Sequence, residues 1–354
     1  ELAKLVVMAT RLKDILLGVV IGLSVTVLFL GKAVIDESIL VRETEVHTLT
    51  SSSPWYQPYG GVRMTFQPEE NESSDSLKYR PDDDYQAATV AQQLAKQVRV
   101  LVWVMTSPKN LANKALAIKQ TWGKRCNIIL YISSVSDPEF PTISLNVPEG
   151  REHLTGKTMA AFRYIYEHYL DEADWFMKAD DDTYLIVENL RYFLSNKRTD
   201  DPIYFGHLFK LNVRQGYYSG GGGYVLSKEA LRRFGTKAVN STLCREDGGD
   251  EDVEFGLCMQ RLGVATSRSL DDMGRTVFHP HTPSMHFLGT YPEWHHKYTA
   301  GKAQKGYGVS KYAVSFHYVP PDEMRVLDFY LYHMRPYGHN SVISNCNKTL
   351  YIVH

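Results

Sequence analysis

The sequence has no surplus of charge of either sign, because 39 lysine and arginine residues are balanced by 40 aspartate and glutamate residues over 354 positions. Proteins that bind nucleic acid through its phosphates need a basic surplus, so we expect no nucleic-acid partner. The Walker loop and the dinucleotide-binding glycine fingerprint are also absent, and no internal repeat is detectable. The length allows one large domain with appendages.

Cysteine is scarce, with four residues in the chain, and four cysteines allow three pairings. Cys244 and Cys258 are close enough in sequence to join one loop to the helix that follows it. Cys126 and Cys346 are the other two. The alternative for any of the four is a free buried thiol, and disulfides form mainly in an oxidising compartment.

Charged side chains are missing from residues 15–30. Together with 31–35 this segment reaches about 20 residues, which crosses a bilayer if Lys32 extends its ammonium group to the surface. Basic residues precede the segment and acidic residues follow it, so the positive-inside tendency predicts a cytosolic tail at 1–14 and an uncleaved membrane anchor at 15–35. A cleaved signal peptide is the alternative, and the lack of a good small-residue cleavage site disfavours it.

Residues 36–95 are rich in serine, proline and glycine without periodicity, which predicts a poorly ordered stem. A short helix is expected near its end, from about Tyr85 to Lys96. Three acceptor patterns for N-glycosylation agree with a lumenal position, although each pattern alone arises often by chance. They begin at Asn71, Asn240 and Asn347.

The composition changes at Val98, where a nearly continuous apolar run predicts a buried parallel strand. Strands and helices then alternate, which indicates a Rossmann-like α/β domain over 96–340, followed by a tail at 341–354. Predicted strands are 98–105, 128–132, 203–207, 223–226 and 313–319. Predicted helices are 111–125, 158–170, 187–195, one capped by Ser227, and one opening at Asp250; residues 280–311 are expected to be irregular.

Three consecutive carboxylates follow an apolar segment that starts at Trp175. Ligands of open α/β sheets bind at the carboxyl ends of strands, and alternation points the side chains of Asp180 and Asp182 the same way. Their hard oxygens suit Mg²⁺ or Mn²⁺, which can hold a diphosphate. The alternative is a solvent-exposed acidic turn. We interpret a second triplet, Asp82–Asp84, in this way because no predicted strand precedes it.

Two further segments have the composition of a ligand site. In Ser219–Gly223, four glycines allow the backbone to approach a ligand, although a flexible turn is equally compatible. In 250–256, four carboxylates open an amphipathic helix; capping is the ordinary role of such residues, but the helix dipole would also keep Asp252 ionised, as a catalytic base requires.

His317 lies within the predicted strand 313–319 and alternates with Phe316 and Tyr318. A histidine inside an apolar strand is usually a core residue with satisfied hydrogen bonds. It would also be able to face a site as a nitrogen ligand, and mixed carboxylate and imidazole ligation is more natural for Mn²⁺ than for Mg²⁺.

Together these segments resemble the core 1 β1,3-galactosyltransferases of glycosyltransferase family 31. The similarity covers about 90–270 and resumes at 313–338, and its clearest stretches are WFMKADDDTY, YYSGGGGYVLSKEALRRF, EDVEFG and AVSFHYV. The resemblance implies a type II Golgi membrane protein with a GT-A fold that uses UDP-galactose and Mn²⁺. Its acceptor would be N-acetylgalactosamine (GalNAc) α-linked to Ser or Thr of glycoproteins; homodimerisation is left open.

Carried over by motif, Asp180, Asp182 and His317 would bind the metal, and Asp252, or alternatively Glu251, would be the catalytic base. The residues implied in contact with UDP are Met105, Thr106, Glu149, Gly150, Arg151, Lys157, Asp181 and Tyr318. The residues implied near the transferred sugar and the acceptor are Tyr218, Gly220, Gly221, Gly222 and Trp294.

The chain departs from the family at three places. The family has cysteine at the position of Val102, able to pair with the equivalent of Cys126, and a vicinal cysteine pair within the region 307–311. The aromatic acceptor region is also altered around Trp294. Alternatives are therefore another acceptor, UDP-GlcNAc as donor, or a non-catalytic lumenal role; the retained Asp-x-Asp element disfavours the last, because the family's chaperone relative lacks it.

Overall fold

The computed structural model describes residues 81–238 and 242–334. The predicted anchor at 15–35, most of the predicted stem and the tail at 341–354 lie outside these residues, as do Asn71, Asn240, Asn347 and Cys346. No helix in the described ranges is both long enough and apolar enough to cross a membrane.

A seven-stranded sheet forms the centre of the domain, with the strand order β3-β2-β1-β4-β9-β6-β10. All its strands run parallel except β9, which pairs antiparallel with both β4 and β6. The strands are β1 (Val100–Met105), β2 (Ile128–Ser133), β3 (Ile143–Ser144), β4 (Trp175–Asp180), β6 (Ile203–Gly206), β9 (Tyr224–Ser227) and β10 (Ala265–Thr266). The sheet confirms the predicted Rossmann-like α/β class and the predicted strands at 98–105, 128–132, 203–207 and 223–226 to within two residues.

Alternate residues of the central strands feed two apolar layers, one on each face of the sheet. Val102 and Met177 belong to one layer, whereas Trp103 and Phe176 belong to the other. All four side chains are fully buried, as expected when helices or loops cover both faces of a parallel sheet.

A second sheet has the order β11-β12-β5, and a two-stranded sheet joins β7 to β8. The strands are β5 (Tyr184–Leu185), β7 (Leu208–Phe209), β8 (Tyr217–Tyr218), β11 (Phe278–His279) and β12 (Ser315–Phe316). The prediction of one strand over 313–319 is therefore wrong in extent, because the chain leaves the sheet at His317 and Tyr318 has φ 57°. Antiparallel pairing of β12 with β5 brings this exit beside Asp182, whose carbonyl accepts from the Val319 N–H at 2.9 Å.

Nine α-helices occur in the described residues. They are α1 (Pro81–Gln97), α2 (Leu116–Gln120), α3 (Leu154–Tyr169), α4 (Val187–Leu194), α5 (Lys228–Lys237), α6 (Glu251–Arg261), α7 (Pro283–Leu288), α8 (Glu293–Tyr298) and α9 (Pro321–Tyr332). The predicted cap is confirmed, because the Ser227 hydroxyl accepts from the Ala230 N–H at 3.1 Å.

Two helical predictions are wrong. The expected helix over 111–125 is divided into a π-helical turn (Leu111–Ala115), α2 and a 3₁₀ turn (Trp122–Arg125). The region 280–311, expected to be irregular, contains α7 and α8. Thr282 caps α7 by accepting from the Met285 N–H, Pro283 occupies the first turn and Gly289 ends the helix at φ 72°, which are standard start and stop signals.

The cysteines agree with the pattern predicted from the sequence. A disulfide joins Cys244 to Cys258 and thereby attaches the preceding loop to α6, as predicted. Cys126 is a free thiol, in agreement with the loss of its expected partner at Val102. Burial raises the pKa of Cys126 to about 12, so this thiol is unreactive at neutral pH.

Candidate functional site

A cleft of about 870 Å³ lies at the carboxyl ends of β1 and β4. The glycine run, the start of α6 and the turn after β12 complete its walls. The structure brings together here most of the residues predicted from the sequence. These are Met105, Thr106, Glu149, Gly150, Arg151, Lys157, Asp180, Asp181, Asp182, Gly220, Gly221, Glu251, Asp252, His317 and Tyr318.

A potential metal-binding group lies on one wall. One ligand atom each from Asp180, Asp182 and His317 lie within 4.8 Å of one another, and His317 Nε2 is 3.1 Å from Asp182 Oδ1. Burial raises the pKa of Asp182, but the hydrogen bond and charge of His317, together with Lys114, outweigh it and lower the pKa to about 2. Two carboxylates beside an imidazole form a donor set that suits Mn²⁺.

Asp181, between these two carboxylates, also lines the cleft and is held by neighbouring side chains. Its carboxylate accepts from the Thr106 hydroxyl at 2.9 Å and from the Asn110 side-chain amide at 2.7 Å. Lys114, 3.1 Å away, forms ion pairs with both Asp181 and Asp182. Asp181 therefore joins the end of β1 to the turn after β4 at the wall of the cleft.

The glycine run makes room for protein side chains, where the sequence pattern suggested room for a ligand. A Cβ on Gly221 would lie 1.9 Å from the His317 ring, and a Cβ on Gly220 would lie 2.5 Å from Glu251 Oε2. Because real Cβ atoms essentially never approach other atoms so closely, these glycines allow His317 and Glu251 to enter the wall of the cleft.

Glu251 is buried and fully engaged by its neighbours. One carboxylate oxygen accepts from the Thr158 hydroxyl at 2.8 Å and from the Tyr224 hydroxyl at 2.7 Å. The other oxygen lies 3.3 Å from the ammonium group of Lys178, which in turn lies 2.7 Å from Asp180 Oδ1. Sequence reasoning missed Lys178, although a lysine inside the apolar run WFMKAD was a signal for a buried ion pair.

Asp252 faces the cleft and is held by backbone donors. It accepts from the Gly220 N–H at 3.3 Å and from the Val253 N–H at 2.9 Å. Burial and the charge of Glu251 raise the pKa of Asp252 to about 6, against the lowering effects of Gly220 and Lys178. This pKa leaves Asp252 ionised above about pH 6, where a general base is effective.

The loop proposed to contact the nucleotide is fixed by Lys157. Its ammonium group donates to the Thr106 carbonyl at 3.1 Å and forms an ion pair with Glu149 at 2.8 Å. The other oxygen of Glu149 accepts from the Ser134 N–H at 3.1 Å. Arg151, in contrast, is exposed and directly follows Gly150, whose φ is 136°.

Three predicted residues do not line the cleft. Tyr218 is buried and its hydroxyl donates to the Ser267 carbonyl at 2.6 Å, so its contact with the sugar stays a prediction. Gly222 is also behind the wall, with its N–H directed to the Ser219 hydroxyl. Trp294, on α8, is 41% exposed and its ring lies 5.3 Å from that of His281.

Tyr318 is at the rim of the cleft and is 55% exposed. Its ring stacks on that of His317 at 3.8 Å, and its left-handed backbone, φ 57°, is rare for a residue other than glycine. Such backbone strain concentrates at functional sites, and here it turns the chain so that His317 and Tyr318 both face the cleft.

Comparison with known proteins places the chain in a family. The Fringe-like family matches residues 95–329. The chain is 44% identical over 264 residues to glycoprotein-N-acetylgalactosamine 3-beta-galactosyltransferase 1 of Xenopus laevis, a match that covers 73% of this chain and 72% of that protein.

More distant relatives share parts of the domain. A beta-1,3-glucosyltransferase of Mus musculus is 31% identical over 206 residues, which are 56% of this chain and 42% of that protein. Chondroitin sulfate synthase 3 of Homo sapiens is 32% identical over 180 residues, which are 46% of this chain and 20% of that protein. With its α/β fold and its acidic cleft, the chain belongs to the Fringe-like family of glycosyltransferases (glycosyltransferase family 31).

Proposed function

We propose that this protein is a core 1 β1,3-galactosyltransferase, which transfers galactose from UDP-galactose to O3 of GalNAc α-linked to Ser or Thr of glycoproteins. The relative that is 44% identical over most of both chains carries this activity in its name. The single observation that carries the mechanism is one cleft that is lined both by the convergent group Asp180, Asp182 and His317 and by Asp252, a carboxylate with a raised pKa.

Asp180, Asp182 and His317 would hold Mn²⁺. Their ligand atoms converge within 4.8 Å, and Asp180 Oδ1 also pairs with the Lys178 ammonium at 2.7 Å. When bound, the ion supplies positive charge that neutralises the diphosphate and makes UDP a better leaving group.

The chain's own contribution to the reaction is a base and its orientation. The donor is α-linked and the product β-linked, so a single in-line displacement is required. Asp252 takes the proton from the O3 hydroxyl of the acceptor, the bond from O3 to C1 of galactose forms, and the bond from C1 to the diphosphate oxygen breaks. Asp252 suits this role better than Glu251, since Thr158, Tyr224 and Lys178 already occupy the Glu251 oxygens.

The acceptor and donor are tested by one screen. UDP release is measured from UDP-galactose and from UDP-GlcNAc, with and without Mn²⁺, against a panel that includes GalNAc-α-Ser and GalNAc-α-Thr glycopeptides. We expect turnover with UDP-galactose and the GalNAc glycopeptides. Turnover only with another acceptor, or only with UDP-GlcNAc, would refute the assignment within the family; no turnover with any pair would indicate a non-catalytic role.

We also propose that the protein is a type II membrane protein of the Golgi, anchored by residues 15–35 with the domain in the lumen. The Cys244–Cys258 disulfide supports an oxidising compartment. Protease treatment of intact vesicles should spare the domain and its glycans. Digestion of the domain without detergent would show that the orientation is wrong.

A further inference from the structure

One carboxylate outside the cleft connects two of its walls. Asp247 Oδ2 lies 2.5 Å from His153 Nδ1, and Asp247 Oδ1 accepts from the Gly156 N–H at 3.0 Å. Gly156 belongs to the first turn of α3, whose N–H groups have no partner within the helix. His153, directly before α3, makes no cap with its own side chain, so Asp247 supplies this cap from a distant part of the chain.

The sequence is adapted to this contact. A Cβ at position 156 would lie 2.8 Å from Asp247 Oδ1, so only glycine permits the carboxylate to reach the backbone here. Negative charge at a helix N-terminus is also stabilised by the helix dipole.

The loop that carries Asp247 is itself anchored to α6. The Cys244–Cys258 disulfide fixes its beginning. Arg245 donates to the Asp247 carbonyl at 2.8 Å and pairs with Glu254 at 3.0 Å. Five residues after Asp247 the chain reaches Asp252, the proposed base.

On the other side, Asp247 fixes the loop proposed to bind the nucleotide. His153 ends the short 3₁₀ turn that begins at Arg151, and Lys157 in the first turn of α3 holds Glu149. A displacement of His153 would therefore shift Glu149, Gly150 and Arg151, which line the cleft, whereas Asp247 itself does not line it.

We propose that Asp247 is a positioning residue for donor binding. It fixes the position of the loop Glu149–Arg151 relative to the disulfide-bonded loop that leads into α6. The inference rests on the proposed function, because it takes UDP-galactose as the ligand of the cleft. It assigns Asp247 an effect on the affinity for the donor and none on the chemical step.

The test compares Asp247→Asn and His153→Gln with the unaltered chain. The measurements are the dissociation constant of UDP with Mn²⁺ by calorimetry, KM for UDP-galactose, kcat and the melting temperature. Asp171→Asn is the matched control, since it removes an ion pair of similar length, 2.8 Å to Lys228, at the opposite end of α3.

We expect both Asp247→Asn and His153→Gln to raise the dissociation constant and KM about fivefold, with kcat changed less than twofold. The double variant should bind UDP no more weakly than the weaker-binding single variant, because both substitutions remove the same contact between the two side chains. Asp171→Asn should bind UDP as tightly as the unaltered chain.

Unchanged UDP binding in both variants, with or without a lower melting temperature, would overturn the inference and leave Asp247 with a structural role only. A fall in kcat at saturating donor, without a change in KM, would overturn it as well. Failure of the unaltered chain to bind UDP would instead refute the proposed function, and the inference would fall with it.

Discussion

Two adjacent carboxylates open α6, and the structure separates their roles in a way that Asp252→Asn tests directly. The substitution is nearly isosteric, and its one remaining oxygen can accept from only one of the backbone donors at Gly220 and Val253, which bond to different oxygens of Asp252. It removes the ability to accept a proton and one hydrogen bond from the backbone to the carboxylate. A general base contributes about 10²–10⁴-fold to a rate, so kcat should fall by this factor while the affinity for UDP and the melting temperature change little.

Glu251→Gln should behave differently, because Glu251 is the centre of a buried network. The substitution leaves Lys178 with only Asp180 as a charged partner among the described residues, and breaking a buried ion pair is destabilising. We expect a lower melting temperature by several degrees and a smaller loss of kcat. Tyr224→Phe is the matched control, since it removes one hydrogen bond to Glu251 and leaves both carboxylates in place.

The pH profile distinguishes the two residues independently of the size of the effect. A base with a pKa of about 6 is protonated below this pH, so the rate of the unaltered chain should rise as the pH increases through about 6. This limb should persist in Glu251→Gln, at a lower pH because the charge of Glu251 helps to raise the pKa of Asp252, and it should disappear in Asp252→Asn. Near-normal turnover of Asp252→Asn together with a lost limb in Glu251→Gln would make Glu251 the base; if neither substitution slows transfer, the mechanism is wrong at this helix.

Three further predictions concern the metal group and the core. Asp182→Ala should abolish both Mn²⁺ binding and transfer while the fold survives, and full activity of this variant in excess EDTA would refute the assignment. Gly221→Ala should weaken Mn²⁺ binding, measured by electron paramagnetic resonance, because its Cβ would lie 1.9 Å from the His317 ring. Gly308→Ala, whose Cβ would lie 3.6 Å from the nearest atom, is the matched control. Burial lowers the pKa of His279 and of His281 from 6.5 to about 4. As the pH falls, the unfolded chain binds protons at these histidines before the folded chain does. Their contribution to stability is therefore complete above pH 6.5 and is lost as the pH falls toward 4. A melting temperature that stays constant from pH 7 to 4.5 would contradict this.

Local patterns were sufficient to predict the central strands and the position of the acidic triplet. Every residue from Val100 to Met105 is apolar. A strand of this composition is typical of a parallel sheet that is covered on both faces. Asp180 ends β4 and Asp182 lies two residues beyond it, at the edge where the ends of parallel strands meet. The Ser227 cap was also predictable, because a serine hydroxyl directly before a helical pattern can accept from a free N–H group of the first turn.

Contacts between distant segments were not predictable in the same way. Asp181 resembles its neighbours in sequence, and only the approach of Thr106 and Asn110 gives it a different role. The raised pKa of Asp252 results first from burial, which depends on how distant segments pack around α6, and then from the charge of Glu251. Likewise, β12 ends after Phe316 because the chain turns toward the cleft at Tyr318, and a period-two pattern contains no signal for such a turn.

Transfer of galactose with inversion to GalNAc on a peptide is the activity that this cleft is proposed to perform. The most direct measurement incubates the protein with UDP-galactose, Mn²⁺ and a GalNAc-α-Thr glycopeptide, and determines the linkage of the product by nuclear magnetic resonance. We predict one added galactose, β-linked to O3 of GalNAc, whose formation stops when EDTA is added. An α-linked galactose, a linkage to another hydroxyl, or undiminished transfer in EDTA would contradict the proposed mechanism.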